Sequence, residues 1–357
     1  MAKIKKFAKL ASGQVGWIEK NAPVCAPAGV ILRPVAVAPC TSDVHTVWDG
    51  AENSKSKKVM LGHESVGQIV EAGALVRDFK AGDLVIVPAI TPDWNTAESQ
   101  RGVGAHCYGN LLYGGRDPGN SCFSDLYAVN NADGNLALLP ESISPEEGAM
   151  LSDMAATGFT AAESAEIKFG ETVAIIGIGP VGLMAAAACA LNGASFIYCV
   201  GSRTACVNAA KYYGASEIFN YKNGDITAQI LSANKNKPVD KVIITGGNLS
   251  AYADALKLVK YGGTVVNAAY LSNEVNDIRL PIQAFGGGIA NKKIIGTTTK
   301  GGRAWIESLV NLVISGRLDV KPLITHRFSG LEKVEEALYL MHDKPDDFIK
   351  AVVSIKY

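Results

Sequence analysis

The stretch TVAIIGIGPVGLMAAAACAL, residues 172–191, decides the fold of this 357-residue chain. It runs without a charge for the length that a membrane span requires. Its order of residue types argues for something else. Residues 173–176, VAII, form a short β-branched run, GIGPVG is a turn, and the Leu-, Met- and Ala-rich remainder prefers a helix. A parallel strand buried on both faces and feeding a packed helix reads in this way. The expectation is a strand-turn-helix unit and no membrane partner.

The turn carries the next inference. In GIGPVG, Gly177 permits a tight bend, Gly179 lets the backbone approach a pyrophosphate, and Gly182 allows close packing of the helix. Pro180 and Val181 open the helix, whose N-terminus would receive the phosphates. An NAD site would place Asp or Glu at the end of the second strand, roughly 20 residues on. Here that strand, SFIYCV, ends in GSR. Gly201 leaves room, Ser202 offers a hydroxyl, and Arg203 offers a planar fork of donors suited to a phosphate, where a carboxylate would repel one. The expected cofactor is NADP(H). Tyr221, after the third strand, either lines the same pocket or is ordinary packing.

Outward from this unit, residues 155–295 alternate strand and helix patterns: FIYCV then ACVNAAKYYGA, DKVIITGG then SAYADALKLVKYGG, and finally TVVNAAY. Such alternation predicts an α/β domain with a doubly wound parallel sheet. The first 150 residues instead carry short apolar runs broken by Gly, Pro and Asp, as in GVILRPVAVAP, SVGQIVEAG and GDLVIVPAI, which predicts β-structure with irregular loops. Near the end, RAWIESLVNLVISGRL and LEKVEEALYLMHD read as amphipathic helices and KAVVSI as a strand that rejoins the first domain. The expected division is a discontinuous domain, residues 1–155 and 297–357, around a Rossmann domain, residues 156–296.

Composition narrows the partners. With 34 Lys+Arg against 34 Asp+Glu there is no bulk attraction to nucleic acid or an anionic membrane, so a small molecule is the expected ligand. Seven cysteines form no paired framework, and MAKIKKFAKL leads into ASGQVGWIEK and not into an apolar signal run. A reducing cytoplasm is the expected setting. The run NSKSKK reads as an exposed loop.

Two further motifs remain. PCTSDVH, residues 39–45, gathers a thiol, two hydroxyls, a carboxylate and an imidazole; LGHESVGQIVEAGALV, residues 61–76, sets His63 and Glu64 side by side between Gly62 and Gly67, read as flexible turns. G-H-E-x2-G-x5-G-x2-V resembles the zinc signature of the medium-chain dehydrogenase/reductase superfamily. PCTSD-H, PAITPDW, DM-ATGF, GIGPVGLM and VGSR resemble, within it, the microbial NADP-dependent secondary alcohol dehydrogenases. The likeness spans essentially the whole chain.

The resemblance implies a GroES-like catalytic domain holding one catalytic zinc through Cys40, His63 and Asp153. Three protein ligands leave a position for substrate. Glu64 then coordinates when substrate is absent or supports the site from behind, and Asp43 orients His63. By resemblance Ser42 touches the reacting oxygen and His45 delivers the proton to solvent. Ala89, Ile90, Trp94 and Tyr270 are by position either pocket walls or ordinary core. Many relatives carry a second, structural zinc on four cysteines, yet residues 90–125 hold only Cys107 and Cys122, so one zinc per chain is expected. The loop NLLYGG, residues 110–115, and the pair Thr298 and Thr299 depart from the bacterial relatives, which points to altered pocket walls. The family is typically tetrameric, with AFGGGIANKK a candidate interface segment. The remaining alternatives are a polyol or threonine dehydrogenase, a zinc-free quinone or enone reductase, and a non-catalytic dinucleotide-binding sensor.

Overall fold

The structure is a computed structural model that describes residues 2–49, 58–103, 120–270 and 277–357. Cys107, the loop 110–115 and most of NSKSKK lie outside the described residues. The chain divides into two compact units. One comprises Met1–Ala156, Thr299–Lys344 and Lys350–Tyr357; the other comprises Thr157–Thr298 and Pro345–Ile349.

The second unit has the expected α/β construction. Its six strands lie in the order Glu217–Phe219, Phe196–Val200, Thr172–Ile176, Val239–Ile244, Val259–Asn267 and Lys293–Gly296, all parallel. The helices Pro180–Leu191, Thr204–Tyr212, Ile226–Ala233 and Ser250–Leu258 alternate with them. Residues 173–176 are all buried, with the helices Pro180–Leu191 and Ser250–Leu258 packed against their strand, which is why the run carries no polar alternation. Strand order reverses at Thr172–Ile176, and the glycine turn leaves this strand at its C-terminal end, the place where open α/β sheets bind ligands. One boundary differs from expectation. SAYADALKLVKYGG is helical only to Leu258, and VKYGG belongs to the next strand, where Val259 pairs with Val239 and a register shift follows. Gly262, at φ +73°, cannot continue a right-handed helix. No helix among the described residues is long and apolar enough to cross a membrane.

The first unit is β-rich. A seven-stranded sheet runs Ile324–Ser329, Lys350–Ser354, Val30–Ala38, Glu64–Ala72, Leu84–Val87 and Ala137–Leu138, with Tyr127–Val129 also paired to Val30–Ala38. A smaller sheet joins Gln14–Asn21, Lys3–Ala11 and Val59–Met60. The last strand, Lys350–Ser354, is interior: Ile324–Ser329 lies parallel on one side and Val30–Ala38 antiparallel on the other. Gly62 has a positive φ, +96°, in the irregular segment just before the strand Glu64–Ala72. Gly67 is not a turn residue. It sits within the strand Glu64–Ala72, where a Cβ would fall 2.4 Å from the Tyr127 hydroxyl, so close packing and not flexibility demands a glycine.

Candidate metal centre and dinucleotide turn

PCTSDVH opens a helix. Cys40 occupies the N-cap of Thr41–Trp48, which places Ser42 and His45 one turn apart on its surface. Asp43, buried in the first turn, joins two distant segments: one carboxylate oxygen accepts the Cys40 N–H at 2.9 Å and the other accepts the Gly62 N–H at 3.0 Å. That second oxygen also lies 3.7 Å from His63 Nδ1. Asp43 thereby fixes Cys40 and His63 in one frame.

Asp153 arrives from elsewhere in the unit. It lies within Leu151–Ala155, a single π-helical turn whose five residues are all buried. Such turns widen a helix locally and are frequent at functional sites. The turn is anchored by Ala89 N–H to the Ser152 carbonyl at 3.0 Å, and the Trp305 indole N–H reaches the Ala156 carbonyl at 3.2 Å.

One donor atom from each of Cys40, His63, Glu64 and Asp153 lies within 4.8 Å of the others. Cys40 Sγ is 3.6 Å and His63 Nε2 3.7 Å from the same Asp153 oxygen, and Ser42 Oγ is 3.3 Å from His63 Nε2. His63 and Glu64 are enclosed, while Cys40 and Asp153 each keep 9% exposure, so the cluster opens on their side. Lys350, fully buried, donates to Glu64 Oε1 at 2.7 Å. Glu64 Oε2 is also buried and has no hydrogen-bond partner among the described residues.

These groups fit a divalent cation. Burial and the Glu64 carboxylate hold the Cys40 thiol above its ordinary range. Burial likewise lifts Glu64 to about 7, although Lys350 opposes it. At His63 burial pushes downward, but the Asp43 charge and hydrogen bonds to Asp153 and Cys40 outweigh it and raise the imidazole. Burial and neighbouring carboxylates disfavour the Cys40 thiolate and the Glu64 carboxylate and keep the His63 imidazole protonated, and a cation among them reverses each preference. The sulfur, nitrogen and oxygen set is the one zinc takes, and the orphan Glu64 oxygen is an acceptor awaiting a partner.

Around this cluster, His45 Nδ1 contacts Asp49 on the same helix. Ala89 and Ile90 are buried, Ala89 against the π turn. Trp94 is held by a 3.0 Å hydrogen bond to Asn135 and packs where Gly134 and Gly302 lack side chains. Tyr270 belongs to the second unit and is half exposed. Cys122 is buried behind the cluster with its thiol near the Glu64 carbonyl.

In the second unit, Gly177 has φ +100°, and a Cβ there would fall 2.7 Å from Gly246 N. A Cβ on Gly182 would fall 1.9 Å from the Gly177 carbonyl. Both glycines are required by close approach. Around Gly179 the nearest atom to such a Cβ is Arg203 Nη2, 4.0 Å away, which leaves its face open. The helix Pro180–Leu191 has Pro at its start and no capping side chain among the described residues, which suits its N-terminus to an anionic ligand. The room at Gly201 is taken by Ile178, whose Cγ1 would lie 2.1 Å from a Cβ. Ser202 Oγ donates to Tyr221 OH at 3.3 Å, and Arg203 Nη1 donates to the Phe348 carbonyl.

Two participants escaped the reading of the sequence, Lys350 and the segment around Phe348. The charge inside the apolar run FIKAVVSI was the available signal for the first. The second has none, because its partner lies 145 residues away.

The zinc-binding dehydrogenase family pattern matches residues 180–315, and the alcohol dehydrogenase GroES-like domain pattern matches residues 26–141. The chain is 52% identical to the NADP-dependent isopropanol dehydrogenase of Entamoeba histolytica, over 99% of this chain and 96% of that protein. It is 50% identical to the protein of the same name from Thermoanaerobacter brockii, over 98% of this chain and 99% of that one. Among solved structures, an alcohol dehydrogenase from Thermus sp. ATN1 superposes with a TM-score of 0.87 at 24% identity, covering 99% of this chain and all of that one, which speaks for the fold. With both patterns matched and about half of all positions shared over nearly the full length, the chain belongs to the zinc-binding alcohol dehydrogenase family and is an oxidoreductase.

Proposed function

We propose that the protein is an NADP-dependent secondary alcohol dehydrogenase that interconverts short secondary alcohols, isopropanol among them, and the corresponding ketones. The observation that carries this reading is the convergence of Cys40, His63, Glu64 and Asp153 within 4.8 Å in a chain half identical to two proteins named for that activity. When bound, one zinc per chain supplies Lewis acidity toward the substrate oxygen and NADP(H) exchanges the hydride. Cys40, His63 and Asp153 hold the metal, with Asp43 fixing the first two. Lys350 balances the charge of Glu64 from behind, which leaves the open side for substrate beside Ser42. Ser42 and His45, one turn apart on one helix, provide a route by which a proton leaves the enclosed site for water, with Asp49 holding the His45 ring. The second unit takes the dinucleotide through the 177–182 turn, with Ser202, Arg203 and Tyr221 meeting the adenosine 2′-phosphate.

A homotetramer in the cytoplasm completes the reading. Exposed Ile282, Ile289 and Tyr261 around residues 284–293 support assembly through that face.

The test is an absorbance assay of isopropanol, acetone, butanone, sorbitol and threonine with NADP(H) and NAD(H), before and after chelation. The expected result is turnover of isopropanol and the two ketones with NADP(H), lost on chelation and restored by zinc. His45→Ala is expected to slow turnover near neutral pH while keeping its zinc. Sorbitol or threonine turnover without ketone reduction would replace the substrate class, and binding without any turnover would favour a sensor.

A further inference from the structure

The helix Thr204–Tyr212 begins directly after GSR and has no cap of its own, because its N-cap residue is Arg203. Its first N–H groups are satisfied from far along the chain. Asp346 Oδ1 accepts the Thr204 N–H at 3.0 Å, and the Asp346 carbonyl accepts the Ala205 N–H at 3.1 Å. Two residues further, the Phe348 carbonyl accepts Arg203 Nη1. Pro345–Ile349 is thus bonded to three consecutive residues that follow Ser202, and it clusters with the second unit although its neighbours in sequence belong to the first.

This divides the work of the arginine fork. One nitrogen is spent on the Phe348 carbonyl, while the other, Nη2, is the atom nearest the open face of Gly179. An arginine held by one edge presents the other with fewer rotamers left to lose on binding, so anchoring favours affinity without touching the ligand. The anchor depends on where the tail segment sits, and Asp346 is what seats that segment on the helix start. A carboxylate at a helix N-terminus is also favoured by the helix dipole.

We propose that Pro345–Ile349 is the positioning element of the 2′-phosphate site and that Asp346 is a positioning residue for cofactor specificity, acting through Arg203. The proposal rests on the NADP reading above. It makes a distinction that general stabilisation does not: loss of the Asp346 acceptor weakens the cofactor that carries the 2′-phosphate and spares the one that lacks it.

The experiment compares Asp346→Asn with Asp346→Ala in the full-length enzyme. Both remove the charge, so any relief of repulsion toward the phosphate is common to them. Asparagine keeps an oxygen that can accept the Thr204 N–H, and alanine does not. Dissociation constants for NADPH and NADH are measured by nicotinamide fluorescence, with circular dichroism as a check on folding. The expected result is that Asp346→Ala binds NADPH about fivefold more weakly than Asp346→Asn, the equilibrium equivalent of one lost helix cap, while NADH binding is the same in both. Equal NADPH affinity in the two variants overturns the proposal, and so does a parallel loss of NADPH and NADH in the alanine variant. A wild-type enzyme with no preference for NADPH overturns instead the NADP reading on which the proposal rests.

Discussion

Lys350 and Glu64 form an ion pair at 2.7 Å with both side chains at 0% exposure. Removing one partner of such a pair strands the other in a medium that solvates it poorly. Lys350→Met is therefore expected to destabilise the metal-free protein by about 3–5 kcal/mol, read from urea unfolding of both proteins after chelation. A loss under about 1 kcal/mol would mean that Glu64 already finds another partner or is neutral in the native state. At this scale the sequence was readable where chemistry is local. Cys40, Ser42, Asp43 and His45 share one helix turn and its continuation, and His63 sits in a recognisable run, so each could be named in advance. Lys350 offered only its charge inside an apolar run, without a partner to give that charge a meaning, since Glu64 is 286 positions away. Gly67 was misread for a related reason: what forbids a side chain there is Tyr127 on another strand.

Among the elements of the second unit, three strands are tied at one end by Asp240. Its carboxylate accepts the N–H and hydroxyl of Thr172 at 2.7 and 2.8 Å and pairs with Lys260 on the neighbouring strand. Burial alone would raise Asp240, but the Lys260 ammonium and the two Thr172 donors outweigh it and hold the carboxyl below its ordinary 3.8. A depressed acid contributes stability that is complete above its unfolded value and is lost as pH falls through the lower folded value. Asp240→Asn should therefore be less stable than wild type at neutral pH, and the gap should close below about pH 4 in a series of denaturant titrations. A gap independent of pH would mean that the amide loses only the geometry and that charge contributes nothing. The alternating strands and helices here were legible because β-branched runs and Ala-rich runs differ sharply in composition. The end of Ser250–Leu258 was not, because VKYGG becomes a strand only through its pairing with Val239. The π turn carrying Asp153 was equally hidden, as nothing in LSDMA distinguishes a widened turn from an ordinary one.

At the scale of the whole molecule, the return of the tail to the first unit was visible as a strand pattern after two helices, KAVVSI. Its place in the middle of the sheet was not, since strand order depends on contacts made after the chain has crossed the other unit. That interior place sets an order of assembly. Domains usually mature from the N-terminus as they leave the ribosome. Here the earlier-made unit keeps a gap beside Val30–Ala38 until Lys350–Ser354 has been synthesised, so the later-made unit can be finished first. A chain ended after Ile349 should accordingly leave a protease-resistant fragment from residues 157–298 while the flanking sequence is digested, and equal resistance throughout would show that the gap closes without its strand. For the living cell this means that the unit carrying Cys40, His63, Glu64 and Asp153 spends translation as an open, aggregation-prone intermediate, and any ion that this cluster takes must wait until Lys350 and the strand it begins have been made.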